Sequence, residues 1–235
     1  MAEPLAVELR RALAARAVPA KAEPMRAYMK SAMPFLGVHT PGRRAAIAEA
    51  LAAHPPADAV AWLAAILELW RQAAYREERQ AAIDLLVGPA GARWLGPDLV
   101  GTIAELIVDG AWWDLVDPLA TRGIGPLLRA HPASLRPVVV AWSTETDLWL
   151  RRSAIICQVG AKGATDTALL TTAIDANLAQ RDFFIRKAIG WALREYSKTA
   201  PNWVAAFLDE RGARLSPLSR REAGKHLPTP PQEAT

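Results

Sequence analysis

A phrase that returns at a nearly constant interval is what most restricts how this chain can fold. Arg-Gln-Ala-Ala-Ile (79–83), Arg-Arg-Ser-Ala-Ile (151–155) and Arg-Lys-Ala-Ile-Gly (186–190) are variants of one another, and Trp-Asp-Leu-Val-Asp-Pro (113–118) falls between the first two. One position from each, Gln80, Asp117, Arg152 and Lys187, steps along the chain by 37, 35 and 35 residues, a period suited to two-helix repeats. In such a stack, equivalent positions on successive inner helices line one concave surface. Here the row is polar or charged, which argues against core positions. Connectors containing Pro89, Gly91, Gly96-Pro97, Gly123, Gly125-Pro126, Pro132, Pro137, Gly160 and Gly163 keep each helix short and favour a solenoid over a bundle of long helices.

Composition agrees with this. The 235 residues are 51% apolar, rich in Ala and Leu, with only 14 glycines, a balance that favours helix over sheet. The expected fold class is all-α, a HEAT-like helical-repeat solenoid with a concave basic groove, read as one domain over 1–226 followed by a flexible tail at 227–235. The single cysteine, Cys157, excludes an internal disulfide, and the four histidines, His39, His54, His131 and His226, lack metal-ligand spacing, so neither metal nor cofactor is expected. The N-terminal stretch carries Glu3 and Glu8 where a secretory signal would be basic, and no eighteen apolar residues run together; a cytoplasmic, monomeric protein without membrane association is expected. The net charge of +4 is compatible with an acidic partner without demanding one.

Taken in order, Leu5, Leu9 and Leu13 predict an amphipathic helix over 3–15, and a second helix is expected from about Pro24. A turn follows through Pro34 and Gly37, and Thr40-Pro41 supplies a cap and a first-turn proline for a helix at 42–53. The next helix, at 57–72, carries Trp62, Leu63, Ile66, Leu69 and Trp70 on a broad apolar face, where the two tryptophans read as core. Segments 199–210 and 217–226 read as a capping repeat.

Two stretches carry candidate chemistry. In Asp109-Gly-Ala-Trp-Trp-Asp-Leu-Val-Asp117, Trp113 and Asp117 are four residues apart and share a helix face. In Phe183–Thr199, Lys187, Trp191, Arg194 and Lys198 fall on one face at spacings of four, three and four, a basic stripe with an indole inside it. Arginines and lysines so spaced can neutralise successive phosphates, and indoles among them can stack on a base or attract a cation. The plainer readings are a core Trp beside a solvated Asp in the first stretch, and a solvated face paired with Asp182 and Glu195 in the second.

Four motifs in order, Tyr28-Met-Lys with Pro34-Phe-Leu-Gly, Trp112-Trp-Asp-Leu-Val-Asp117, Leu148-Trp-Leu-Arg-Arg-Ser-Ala-Ile155 and Phe183-Phe-Ile-Arg-Lys-Ala-Ile-Gly-Trp-Ala-Leu-Arg-Glu-Tyr196, give the chain a resemblance over most of its length. It resembles the AlkD-like family of bacterial alkylpurine DNA glycosylases, built from HEAT-like repeats. The resemblance implies that Trp113 and Trp191 flank the lesion, that Asp117 is the catalytic carboxylate, and that Arg152 binds phosphate beside it. Tyr28 and Arg194 would lie on the DNA-facing surface, with Lys187 and Lys198 along the basic stripe. The implied partner is double-stranded DNA containing alkylated purines, attacked without turning the base out of the stack. Two features depart from the pattern. Pro118 follows Asp117 directly and would kink a helix there, which leaves the aim of the carboxylate open. His39 stands at a DNA contact where relatives carry a polar amide. A non-catalytic binder of damaged or branched DNA, or a protein-interaction scaffold, would use the same architecture.

Overall fold

The computed structural model describes residues 4–227, and among these every regular element is helical. The stretch read as one domain, 1–226, is built from two compact units, one ending at Leu95 and one beginning at Gly96. Of the tail expected at 227–235, all but Leu227 lies outside the described residues.

In the first unit, α1 (Pro4–Ala14) packs against α3 (Thr40–Ala53) and α4 (Ala59–Arg71), and α5 (Arg76–Val87) packs against both of the latter. Leu9, Leu13, Trp62, Ile66, Leu69 and Trp70 are all buried, as the four-residue spacing requires, each contributing about 1.5–3 kcal/mol of burial. Helix α2 (Pro19–Met29) begins five residues earlier than expected, with Pro19 in its first turn and Pro24 inside it. The bond lost at Pro24 would have gone to the Ala20 carbonyl, and both residues are exposed, so the carbonyl is left open to solvent and not buried without a partner. Before α3 the cap position is His39, not Thr40, and no side chain caps the helix; Thr40 and Pro41 are its first helical residues.

The loop joining α2 to α3 is shaped by a buried carboxylate. Glu77, wholly buried on α5, accepts the backbone N–H groups of Leu36, Gly37 and Val38 at 3.0, 2.8 and 3.0 Å. The turn passes through Gly37 at φ +83°, where a Cβ would stand 2.2 Å from the Val18 carbonyl oxygen, so only glycine fits.

The second unit is a two-layer stack of helical pairs. One layer holds α6 (Val100–Gly110), α9 (Pro132–Trp142), α11 (Thr167–Asp175) and α13 (Pro201–Arg211). The other holds a helical run from Trp113 to Ala130, comprising α7 (Trp113–Pro118), a π-helical turn at Leu119–Ile124 and α8 (Gly125–Ala130), then α10 (Leu148–Ile156), α12 (Phe183–Ser197) and α14 (Pro217–Ala223). Within this second layer the π turn packs on α10, α10 on α12, and α12 on α14. Pro118 does not break its helix. It removes the donor that would reach Asp114, and the chain continues in the wider π register, with Thr121 donating its hydroxyl to the Asp117 carbonyl at 2.7 Å. Prolines and single π turns are both recognised sites of helix irregularity, and here the two adjoin. Glycine at position 190 lets α14 come close to α12: a Cβ there would lie 2.5 Å from the Glu222 Cβ and 3.1 Å from the Ser219 carbonyl oxygen. The expected capping repeat is α13 and α14.

Candidate active site

Helices α10 and α12 begin alike. Asp147 accepts the N–H groups of Trp149 and Leu150, both at 2.9 Å, and Asp182 accepts those of Phe184 and Ile185 at 2.7 and 3.2 Å, each an N-cap that satisfies two orphan donors. Four residues beyond each cap an arginine folds back on the preceding loop. Arg151 donates to the Glu145 and Thr144 carbonyls, and Arg186 to that of Gln180. Arg152 and Lys187, the next residues, therefore occupy equivalent registers five positions after their caps. Asp117 is five after Trp112, the cap position of α7.

These registers meet. Arg152 donates from Nε to Asp117 Oδ1 at 2.8 Å and from Nη2 to Oδ2 at 2.7 Å, a two-pronged pair, while its Nη1 donates to the Phe184 carbonyl at 2.7 Å. One guanidinium thus ties α7, α10 and α12 together. Its side chain is only 7% exposed against 16% for Asp117, so three of the five N–H groups are committed and the carboxylate is the more accessible partner. Burial pushes the Asp117 carboxyl above its ordinary value, against the hydrogen bond and charge of Arg152, which pull it down.

An aromatic cluster adjoins the pair. The Phe184 ring lies 5.1 Å from that of Trp112 and 5.0 Å from that of Trp149; the two indoles are 6.1 Å apart, and Phe183, 58% exposed, meets Phe184 edge-on at 5.5 Å. Such offset and edge contacts suit aromatic quadrupoles. The Trp112 indole N–H is buried without an acceptor. Trp113 begins α7 one turn before Asp117, half-buried, and Trp191 is half-buried on α12. Positions 184, 187, 191 and 194 of α12 share a face at spacings of three, four and three.

The basic stripe is not a row of unattached cations. Arg194 Nη1 donates to Glu222 Oε2 at 2.7 Å, Lys187 lies 3.3 Å from Glu222 Oε1, and Lys225 donates to the same oxygen at 2.9 Å. Lys198 pairs with Glu195 at 2.8 Å, as the plainer reading held, whereas Asp182 serves as the helix cap. Glu222 is buried, and Lys225 foremost, with Lys187 after it, holds its carboxyl below the ordinary range against the opposing effect of burial. Tyr28, 76% exposed on α2, and His39, exposed before α3, belong to the first unit.

Sequence reasoning missed Glu222 and the ring cluster of Trp112, Trp149 and Phe184. The period would have found the former, since Glu222 is 35 residues beyond Lys187 and continues Asp117, Arg152, Lys187 by one more step. The row reads acid, base, base, acid, with each outer acid paired to its neighbouring base.

Stacked helical pairs that hold a carboxylate on an arginine, beside an aromatic cluster and a row of paired acids and bases, define a helical-repeat protein. The family model for "DNA alkylation repair enzyme" matches residues 9–227, and the chain belongs to that family. A solved structure described as a "Predicted DNA alkylation repair enzyme from Enterococcus faecalis" is 32% identical, with a TM-score of 0.78, covering 90% of this chain and 97% of that one. No curated protein matches the chain. Membership assigns the chain to DNA alkylation repair, and DNA binding follows from it. Among the described residues no helix is long and apolar enough to cross a membrane, and no group of His, Cys, Asp and Glu could hold a metal ion.

Proposed function

We propose that the protein is a monofunctional DNA N-glycosylase that hydrolyses the N-glycosidic bond of cationic N3- and N7-alkylated purines in duplex DNA, with the base left in the stack. The observation that carries this reading is the Asp117–Arg152 pair, in which the arginine is buried and the carboxylate reachable, one helical turn from Trp113. Alkylation at N3 or N7 places a positive charge on the purine, so the base leaves neutral and needs no general acid. The ionised Asp117 stabilises the positive charge that develops on the sugar and aims a water at C1′. The water oxygen bonds to C1′ as the C1′–N bond breaks, its electrons neutralise the base, and the released proton passes to the carboxylate. Trp113 and Trp191 add cation–π attraction worth about 0.5–2 kcal/mol each, which favours charged over neutral bases.

Arg152 does two things in this scheme. It holds the carboxylate ionised and aimed, and its two uncommitted N–H groups can reach a flanking phosphate. Lys187, Arg194 and Lys198 meet further phosphates, and Tyr28 and His39 of the first unit are assigned DNA contacts of their own. The deciding experiment is incubation with duplex DNA methylated at N7 of guanine, read as free 7-methylguanine. Asp117→Asn is expected to lower release by about 10²–10³-fold, the scale of losing one electrostatic stabiliser, with duplex affinity retained. Release by the variant at the rate of the unaltered protein would remove Asp117 from the chemistry. Salt-sensitive duplex binding without base release would make the protein a non-catalytic DNA binder, and salt-insensitive behaviour a scaffold.

A further inference from the structure

Glu222 takes no part in the bond-breaking scheme, yet three cations converge on it. Its side chain, 7% exposed, enters from α14 with its stem against Gly190, next in sequence to Trp191. From there the carboxylate reaches Lys187, four residues before Trp191, and Arg194, three residues after it. α14 is itself fastened to α12, because Ser219 donates its hydroxyl to the Arg186 carbonyl at 2.9 Å. The side chains of Lys187 and Arg194 remain 38% and 24% exposed, and an ammonium with three N–H groups and a guanidinium with five keep donors for an outside anion. Left alone, two long side chains lose rotamer freedom whenever they grip a phosphate. Held beforehand by one carboxylate, they do not. The acid also offsets the repulsion between the two like charges that it bridges.

We propose that Glu222 is a positioning residue for base excision: it fixes Lys187 and Arg194 on either side of Trp191, so that the sugar–phosphate backbone is seated against the indole when the bond breaks. This inference rests on the glycosylase reading. It separates Glu222 from a residue that only holds the fold, because a positioning role acts on the excision step more than on folding or on binding of undamaged DNA.

The test compares Glu222→Gln and Glu222→Asp with the unaltered protein, on N7-methylated duplex for single-turnover release of 7-methylguanine and on undamaged duplex for affinity. Misplacement near 1 Å costs on the order of a hundredfold in rate, and Glu222→Gln is expected to slow release by about ten- to a hundredfold while affinity for undamaged duplex changes less than about threefold. Glu222→Asp, which keeps the charge on a shorter stem, is expected to recover part of the rate. In a Lys187→Gln background the further loss from Glu222→Gln should shrink, as for residues acting through one another. Equal rates for Glu222→Gln and the unaltered protein overturn the positioning role and leave the glycosylase reading standing. Rate and affinity falling in proportion to lost melting stability overturn it in favour of a structural role. If Glu222→Gln does not fold, Glu222→Asp at the unaltered rate with an additive Lys187→Gln effect overturns it equally. No release by the unaltered protein overturns the glycosylase reading and the positioning role with it.

Discussion

Arg152 illustrates how one side chain serves both structure and reaction. With Nε and Nη2 on Asp117 and Nη1 on the Phe184 carbonyl, its loss would leave a largely buried carboxylate without its partner, and such carboxylates take up a proton. Arg152→Gln is therefore expected to reduce excision by a larger factor than it reduces duplex affinity, measured by base release against binding at one salt concentration. Loss of affinity alone would make Arg152 a phosphate contact and nothing more. The titration of Asp117 has a definite sign. Burial raises its pKa above the ordinary 3.8, and the proposed role needs the ionised form. Excision should therefore fall as pH drops through a single ionisation lying above 3.8, and in Arg152→Gln that limb should move to still higher pH. A limb at or below the ordinary value would show that the arginine outweighs burial.

At the level of helices, the contact between α12 and α14 decides whether the basic stripe is organised. Gly190→Ala gains about 1 kcal/mol of helix propensity, but its Cβ would come 2.5 Å from that of Glu222, and overpacking of that kind costs about 1–3 kcal/mol. A net loss of up to about 2 kcal/mol is expected, read as a lowered midpoint in urea denaturation. A raised midpoint would mean that α14 moves aside freely. The pairing of Glu222 belongs to the same contact. Its pKa lies below the ordinary 4.5, so its stabilisation is present above about that pH and is lost as pH falls through the lowered value. In the first unit Glu77 plays a comparable part for the loop at residues 36–38, with three backbone donors converging on one buried carboxylate. In both places a buried acid organises groups contributed by a different element of the chain.

For the molecule as a whole, the proposed partner is a polyanion, and its signature is salt dependence. Each phosphate neutralised adds a slope of about −0.9 to the logarithm of the binding constant against that of salt concentration. Duplex affinity should fall steeply with salt, and Lys187→Gln should reduce the slope by about one with little dependence on DNA sequence; an unchanged slope would remove Lys187 from the phosphate contacts. Much of the architecture behind this was readable in the chain. The 35-residue step placed Asp117, Arg152 and Lys187 in equivalent registers because a repeat imposes its period on the sequence that forms it, and the leucine and tryptophan spacing marked the buried faces of α1 and α4. Asp147 and Asp182 precede near-identical helix starts, yet Asp182 reads in the sequence as an ion-pair partner and the structure makes it a cap. Which charges face which was not readable. Asp117 with Arg152, and Lys187 with Glu222, are pairs formed across helices 35 residues apart, and periodicity assigns a residue to a face without saying what stands opposite. The residue order by itself determined the helices, their period and the polar row, since these follow from local spacing and propensity. The tertiary structure alone decided that the row is paired acid to base and that Glu222 gathers Lys187, Arg194 and Lys225, because each pairing depends on how separate helices pack.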